Sequence, residues 1–534
     1  MDSYPPWEDS VPDEAAGFPS GSDASASPPA SVAGVQQEPA PVEEPDLGED
    51  ELLLRLAQVT QFLVSFRVTR PEVVRATQAR HALRRFGRVL REGHGGPNLY
   101  QYSEARQHIA EFWSHSWHGN AWSKVLLLLV MYHGLPALLA GTVAFATARV
   151  CIQPGQGPLP LENSLAWSTL AGVSSSGLCL GLWQSRKRVF VDRICIHQTD
   201  SRLKMEGMLN LAALLKRSQS MLVCWDPSYV LRMWCSVELA AFLKSHPEGP
   251  LVIRPTSWGA CVIVAFLSLA TLLVGPEILT NNLVREEGAW RDLVASFVFT
   301  ASVIVFMCFT SAVARAHFRA AATVQDQLRT FSFENDTLCH CCTVHHVDKH
   351  GQKLLCDKQT ISGCLEHWFG SVADFDVVVQ KQVSASFGSR VSLNCLLPYS
   401  WLTATTIPML WFGIHLGIDF RFRYSDSWMA FYNWFYCVGW WLGVIPLLVA
   451  LWLRVMRRCK RRRAGACQEV MLNVACSCLF GLMVLTARGI ETLVVTSVPT
   501  YGVLVCTIFS LTAAALALGD CGRLFSRKSP QTAS

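Results

Sequence analysis

The sequence predicts an α-helical multi-span membrane protein that also carries one water-exposed α/β unit. Of its 534 residues, 51% are hydrophobic and 16% are charged, and the mean hydropathy is +0.26. This composition is too apolar for a soluble protein of such length. Several apolar runs reach the ~20 residues that an α-helix needs to cross a bilayer. One long segment, residues 188–247, instead combines short strand and helix patterns.

The patterns of this segment indicate a parallel sheet. VFVDRICI is a β-branched run typical of a strand, and SMLVCW is a second one. Between them, residues 203–216 carry apolar side chains at the spacing of a helix with one buried face. DPSY predicts a turn, and residues 233–243 predict another helix. Strand, helix, strand and helix joined by short links predict parallel strands with helical crossovers.

Polar residues at the carboxyl ends of these strands are the first candidates for a binding site. Ligands of such sheets bind at this edge. The candidates are Asp192 and Gln198 after the first strand, Asp226 and Tyr229 after the second, and the helix start from Trp234 to Glu238.

Two phrases of the segment, VFVDRICIHQTD and SQSMLVCWDPSYVLRMWCSVELAAF, carry a family resemblance. They resemble the TIR-like (Toll/interleukin-receptor-like) superfamily, which includes the fungal heterokaryon-incompatibility domains. In members that hydrolyse NAD, the Glu of a Trp-Cys-x-x-Glu motif is the catalytic acid, and the matching residue here is Glu238. The family usually has Ser before the Trp, where this chain has Met233. The resemblance covers roughly half of a TIR domain.

The resemblance also predicts a structure for FWSHSW at residues 112–117. A phrase of this type forms the first strand and ligand-facing loop of TIR-like domains, which would place Ser114, His115 and Ser116 beside the strand end at Asp192. A membrane hairpin would then interrupt the domain between its first and second strands. The alternative is an interfacial aromatic belt ahead of a span.

An NAD hydrolase would need little more than one well-placed carboxylate, because cleavage passes through an oxocarbenium-like state. The resemblance implies that Glu238 contacts the ribose, with NAD as substrate, that Trp234 or Tyr229 stacks on a ring, and that Asp192 or Ser116 fixes polar groups. Alternatively, Glu238 caps or pairs within its own helix. The unit would then serve for self-association or for binding other TIR domains.

The apolar runs come in pairs around the water-exposed segments and predict about eight spans. They are residues 125–148, 164–183, 258–274, 293–314, 396–418, 428–453, 471–487 and 495–518. The resulting domains are an acidic disordered tail (1–50), a basic helical region ending in the strand discussed above (51–122), a membrane hairpin (123–184), the TIR-like unit (185–256), a second hairpin (257–314), a Cys/His-containing helical segment (315–394), four spans (395–519) and a tail (520–534).

Basic residues predict which side of the membrane each segment faces. Arg186, Lys187 and Arg188 precede the α/β unit, and the densest basic run, residues 456–463, follows the sixth span. The links 150–163 and 276–290 are poor in basic residues. Because basic loops stay in the cytosol, both termini, the α/β unit and the segment 315–394 are expected there. The protein is thus expected to be integral to a membrane, with the lipid bilayer as partner and no nucleic acid.

The predicted span cores lack Asp, Glu, Lys and Arg, although they contain His133 and His415. Ion-coupled transporters and voltage sensors usually need buried charges on their pathways. The spans are therefore interpreted as an anchor or scaffold. Three functions remain open: a TIR-like membrane signalling protein that hydrolyses NAD, a non-enzymatic receptor or scaffold, and a ligand-gated channel or transporter.

The phrase CHCCTVHHVDKHGQKLLC offers ligands for zinc. Cys339, Cys342, His345 (or His346) and Cys356 supply thiolates and an imidazole, which are the donors zinc prefers. The alternative is a set of ordinary cytosolic thiols and surface histidines. The 20 Cys residues, spread over spans and water-exposed parts, do not form a pattern typical of a disulfide framework.

Overall fold

The computed structural model describes most of the chain beyond the acidic tail. The described residues are 49–91, 98–152, 164–247, 249–283, 289–343, 345–346, 356–384, 399–423, 427–497, 501–502, 504–512 and 515. The predicted tail 1–50 therefore lies outside them, except for Glu49 and Asp50, which begin the first helix, α1 (Glu49–Ser65). The C-terminal tail 520–534 also lies outside the described residues.

A six-stranded mixed sheet forms the centre of the water-exposed part. Its strands are β1 (Arg75–Gln78), β2 (Ser103–Ala105), β3 (Glu111–His115), β4 (Arg188–Phe190), β5 (Met221–Trp225) and β6 (Leu251–Pro255), in the spatial order β2-β1-β4-β3-β5-β6. β3 runs parallel to both β4 and β5, and β6 runs parallel to β5. β1 pairs antiparallel with β4 and β2, which extends the parallel sheet at one edge.

The strand expected at FWSHSW is present as β3 and lies in the middle of the sheet. All five residues of β3 and all five of β5 are buried, as expected for parallel strands covered on both faces. Phe112 stacks on Phe190 of β4 with ring centroids 4.6 Å apart. The chain between these two neighbouring strands forms a helical hairpin, α3 (Ala121–Cys151) and α4 (Ser164–Leu182).

Two elements of the α/β unit are shorter than predicted. The strand expected over VFVDRICI ends at Phe190, because Asp192 Oδ1 accepts from the Arg193 N–H and starts a helical turn, α5 (Asp192–Cys195). The helix expected over residues 203–216 divides at Asn210 into α6 (Ser201–Leu209) and α7 (Leu211–Lys216). The predicted helix from 233 is present as α8 (Met233–Ser245).

The helix in the basic part of the predicted helical region 51–122 is interrupted. In α2 (Ala79–Arg91) the backbone leaves the helical region at Arg84, and Arg85, Phe86 and Gly87 have positive φ. Gly87 faces Val125 of α3, where an added Cβ would approach a Val125 methyl group to 2.5 Å. Close packing against the membrane hairpin therefore replaces the regular helix at this point.

Among the described residues, six helices are long and apolar enough to cross a membrane. The candidate spans are Ala121–Cys151, Ser164–Leu182, Ser257–Pro276, Ala301–Arg329, Asn433–Arg458 and Ala466–Glu491. They belong to α3, α4, α9 (Ser257–Leu283), α10 (Ala289–Arg329), a broken helix formed by α17 (Ser427–Gly439) and α18 (Ile445–Arg458), and α19 (Ala466–Ser497).

The two remaining predicted spans have different outcomes. The fifth predicted span is divided into two helices, α15 (Tyr399–Thr405) and α16 (Ile407–Arg423). The apolar part of α16, Ile407–Ile418, is shorter than the six candidate spans. Pro408, at the start of α16, has no N–H to continue the preceding helix, which explains the break. The eighth, 495–518, lies partly outside the described residues.

A proline also explains the irregular turn between α17 and α18. Trp440–Val444 forms a π-helical turn directly before Pro446, which cannot donate to the carbonyl of Leu442. Tyr399 OH donates to this carbonyl instead, at 2.5 Å. The hydroxyl group thus satisfies the backbone acceptor that the proline leaves open.

The segment after the second hairpin joins the α/β unit instead of forming a separate domain. α10 continues beyond the predicted span end at 314 to Arg329, and is followed by α11 (Phe333–Asp336), α12 (His340–Thr343), α13 (Asp357–Phe369), α14 (Val372–Val378) and a π-helical turn, Val379–Val383. Buried residues of this segment share one hydrophobic core with the sheet and with α1. Phe66, directly after α1, stacks on Trp368 of α13. The region of α1, the α/β unit and the segment after the second hairpin therefore form a single core.

Glycines let the membrane helices approach closely. A Cβ on Gly259 of α9 would lie 2.3 Å from the Leu127 amide nitrogen of α3, and one on Gly141 would lie 2.7 Å from the Gly172 carbonyl oxygen of α4. Helix packing in membranes relies on such small residues, because lipid gives little hydrophobic driving force between helices.

We expect Gly259→Ala to destabilise the protein by about 1–3 kcal/mol, because a side chain there forces two helix backbones apart. Gly275 of the same helix is the matched control, since an added Cβ there meets nothing within 4 Å. Thermal unfolding of both variants in detergent checks this. Equal midpoints for the two variants would contradict the close approach of α3 and α9.

Candidate functional site

The candidate site lies at the carboxyl ends of the parallel strands. Ser114 and His115 end β3, Asp192 follows β4 by two residues, and Asp226 directly follows β5. Because these strands are neighbours and parallel, their ends meet at one edge of the sheet. α8 follows the loop after β5 and brings Glu238 to the same place.

A chain of hydrogen bonds links Glu238 to the middle strand. Ser114 Oγ donates to Glu238 Oε2 at 2.5 Å, and Ser114 Oγ lies 2.7 Å from the Tyr229 hydroxyl group. A serine hydroxyl has one proton, so Tyr229 is the donor to Ser114 when Ser114 donates to the carboxylate. Ser114 and Tyr229 are almost fully buried, whereas Glu238 is partly accessible.

The pKa of Glu238 is raised to about 8, and burial of the carboxyl group is the largest cause of this shift. The hydrogen bond from Ser114 acts in the opposite direction, and the negative charge of Asp192 raises the pKa further. A carboxyl group with such a pKa exchanges its proton near neutral pH. Strongly shifted carboxyl groups of this kind are common at catalytic sites.

Asp192 is held at the opposite side of the site by its own contacts. Trp117 Nε1 donates to Asp192 Oδ2 at 2.8 Å, and the Arg193 N–H donates to Oδ1 at 2.7 Å. Gln198 donates from Nε2 to backbone carbonyl groups of its own loop, at Asp192 and Ile196. These bonds support the loop after β4.

Ser116 and Asp226 belong to a second polar network behind the strand ends. Ser228 Oγ is hydrogen-bonded to Ser116 Oγ at 2.8 Å and also to Asp226 Oδ1. Lys124, in the first turn of α3, donates from Nζ to the Ser116 carbonyl oxygen at 2.6 Å. This network fixes the loop between β3 and α3 against the loop after β5.

Two buried polar atoms near the strand ends have no hydrogen-bond partner among the described residues. They are Asp226 Oδ2 and His115 Nε2. Burial lowers the pKa of His115, so its ring is neutral at pH 7. A Cβ on Gly119 would lie 1.9 Å from Asp226 Oδ2, so any larger residue there would have to displace this carboxylate.

Most predicted site residues are therefore close together, but sequence reasoning missed Trp117, Lys124 and Ser228. Their contacts are to Asp192, Ser116 and Asp226 respectively. Lys124 could have been found as a lysine at the start of an apolar run. Trp234 is half-buried in the first turn of α8, next to the buried Met233.

The predicted zinc ligands assemble in a modified set. Cys341, Cys342, His346 and Cys356 place one ligand atom each within 4.8 Å of one another. His345 is exposed and lies outside this group, and Cys339 instead groups with Cys341 and Asp357. The left-handed backbone of both histidines explains the change, because it directs the second of them towards the thiols.

Comparison with known proteins adds no relative to this description. No family model matches the chain, and neither a curated protein nor a solved structure matches it.

We expect the pKa of Glu238 to be visible in the pH dependence of stability. Its folded-state pKa of about 8 exceeds its ordinary value of 4.5, so its contribution to stability is fully present below pH 4.5 and is lost as pH rises to about 8. Glu238→Gln mimics the protonated group. The unfolding midpoint of the variant should therefore rise relative to that of the wild type between pH 5 and about 9.

Glu206→Gln is the control, because the hydrogen bond from Arg70 lowers the pKa of that half-buried carboxyl group. This variant should show a constant offset over the same pH range. A constant offset for Glu238→Gln as well would show that Glu238 ionises normally.

Proposed function

We propose that the protein is a multi-pass membrane signalling protein whose TIR-like unit cleaves the bond between nicotinamide and ribose in NAD. The observation that carries the proposal is the Glu238 carboxyl group, which is held by Ser114 at the strand ends and has a pKa of about 8. The Trp-Cys-x-x-Glu motif of NAD-hydrolysing TIR domains has its glutamate at the same position.

Cleavage of the nicotinamide–ribose bond requires a negative charge close to the ribose. The C–N bond breaks as positive charge develops on the sugar, neutral nicotinamide leaves with the bonding electrons, and water adds to the same carbon and loses a proton. A carboxylate stabilises this oxocarbenium-like state and accepts a hydrogen bond from a ribose hydroxyl group. Ser114 occupies Oε2 of Glu238, and Oε1 makes no hydrogen bond to a described residue, so it is free to accept that bond.

The substrate itself would activate this carboxyl group. At pH 7 a group with a pKa of about 8 is mostly protonated. The nicotinamide ring of NAD is cationic, and a positive charge nearby lowers the pKa of a carboxyl group. Binding of NAD would therefore favour the ionised form of Glu238. Ser114 and Tyr229 act as positioning residues, because they orient the carboxylate through their chain of hydrogen bonds.

The proposal places the α/β unit in the cytosol. Support comes from Arg186, Lys187 and Arg188, which lie between the α4 span and the sheet, and from the basic run after α18, since basic residues favour the cytosolic side. NAD would be available there. The described cysteines are free thiols, which agrees with a reducing compartment.

A second candidate function is association without catalysis. The observation that favours it is the burial of Ser114 and Tyr229: Ser114 satisfies Oε2 of Glu238 from inside the protein, and Tyr229 in turn bonds to Ser114. A carboxyl group so enclosed also suits a structural role. The unit would then bind other TIR-like units at the membrane.

We expect purified full-length protein to release nicotinamide from NAD when it is clustered on liposomes, and Glu238→Gln to reduce the rate at least about 100-fold, as expected for loss of an essential catalytic carboxylate. Glu206→Gln, on the surface of α6, should retain the wild-type rate. Circular dichroism of both variants checks folding. If the clustered wild type releases no nicotinamide, the catalytic proposal is wrong and the association function remains.

We expect kcat/KM to rise with pH up to about pH 8, because the free protein must lose the Glu238 proton. The pKa seen in kcat should be lower, since it reports the complex with cationic NAD. Initial rates from pH 5.5 to 9 measure both profiles. A rate that falls with rising pH would instead show that the reaction needs the protonated form of Glu238.

A further inference from the structure

The Cys/His segment contains a built cluster of metal-binding side chains outside the candidate active site. Cys341 and Cys342 lie in α12, His346 lies three residues after its end, and Cys356 immediately precedes α13. We propose that Cys341, Cys342, His346 and Cys356 bind one structural zinc ion.

The distances within the cluster fit tetrahedral coordination. Zinc bonds of about 2.3 Å to sulfur and about 2.0–2.1 Å to nitrogen place tetrahedral ligand atoms roughly 3.5–3.8 Å apart. Cys342 Sγ lies 3.5 Å from His346 Nε2 and 3.9 Å from Cys356 Sγ. All four ligand atoms lie within 4.8 Å of one another. This spacing suits a single ion.

The backbone supports the same arrangement. His345 and His346 both have left-handed φ values of 53° and 59°, which are costly for residues other than glycine. This conformation turns the His346 ring towards Cys342, while the His346 N–H donates to the Cys341 carbonyl oxygen at 2.7 Å. A bound metal would supply the energy that stabilises such a turn.

The donor set selects the metal. Three thiolates and one imidazole favour zinc over the hard ions calcium and magnesium, which prefer oxygen ligands. Four protein ligands leave no open position, so the site would be structural. Cys339 lies next to Cys341 but outside the four-ligand group, so it would border the site as a neighbouring thiol.

The site would also stabilise the loop that carries Tyr229. Just before the cluster, the Leu338 N–H donates to the Leu231 carbonyl oxygen at 2.9 Å, and Leu338 pairs with Arg232 in a short β-bridge. Gln327 of α10 donates to the Pro227 carbonyl oxygen at 3.0 Å. The Cys/His segment is therefore attached to both ends of the loop between β5 and α8.

Metal analysis of the purified full-length protein tests the proposal. The wild type should contain about one zinc ion per chain, and its X-ray absorption at the zinc edge should indicate three sulfur ligands and one nitrogen ligand. The double variant Cys342→Ala/His346→Ala should lose at least about nine-tenths of the zinc, as expected when two of four ligands are removed.

The matched control is Cys364→Ala/His345→Ala, which removes a buried thiol and an exposed histidine outside the cluster. It should retain the zinc. Folded wild type without zinc, zinc retained in the ligand variant, or iron with sulfide in place of zinc would overturn the proposal. The zinc content and X-ray absorption of the wild type test the proposal even if the ligand variant does not fold. The result is independent of NAD cleavage.

Discussion

The parallel pairing of β3 with β4 is the constraint on which the rest of the structure depends. The chain between these adjacent strands runs through the whole α3–α4 hairpin, yet it must return to within about 5 Å of its starting point. Close packing of α3 on α4 allows this, and His133 Nδ1 lies 2.9 Å from the Leu180 carbonyl oxygen. The sheet and the membrane helices therefore stabilise each other and cannot be treated as separate folding units.

The same constraint determines the composition of the candidate site. Ser114 precedes the first hairpin, Tyr229 and Glu238 follow it, and the Cys/His segment follows the second hairpin. None of these stretches can bury its apolar face alone, but together they form one core. A buried serine and tyrosine can then hold a carboxyl group away from water, which raises its pKa. The chemistry of the site is thus a consequence of how the membrane segments bring three stretches of chain together.

Much of this arrangement could be predicted from the sequence, and the failures have physical causes. Apolar runs and β-branched runs located the spans and the central strands, because burial on both faces leaves a strong local signal. The kink at Arg84–Gly87 and the choice of His346 over His345 depend on left-handed backbone, which tertiary packing imposes against local preference. The sequence marks Lys124 only as a lysine at the start of an apolar run, and its partner could not be predicted because the Ser116 carbonyl group belongs to the backbone.

α10 gives the molecule a mechanical property. Its 41 residues form one continuous helix about 60 Å long, which contains the candidate span Ala301–Arg329 and ends in the core beside the loop after β5. An unbroken helix fixes the distance and orientation between its two ends, so the apolar segment and Gln327 belong to one rigid element. Through the hydrogen bond from Gln327 to the Pro227 carbonyl group, this element sets the position of the loop after β5 relative to a candidate span.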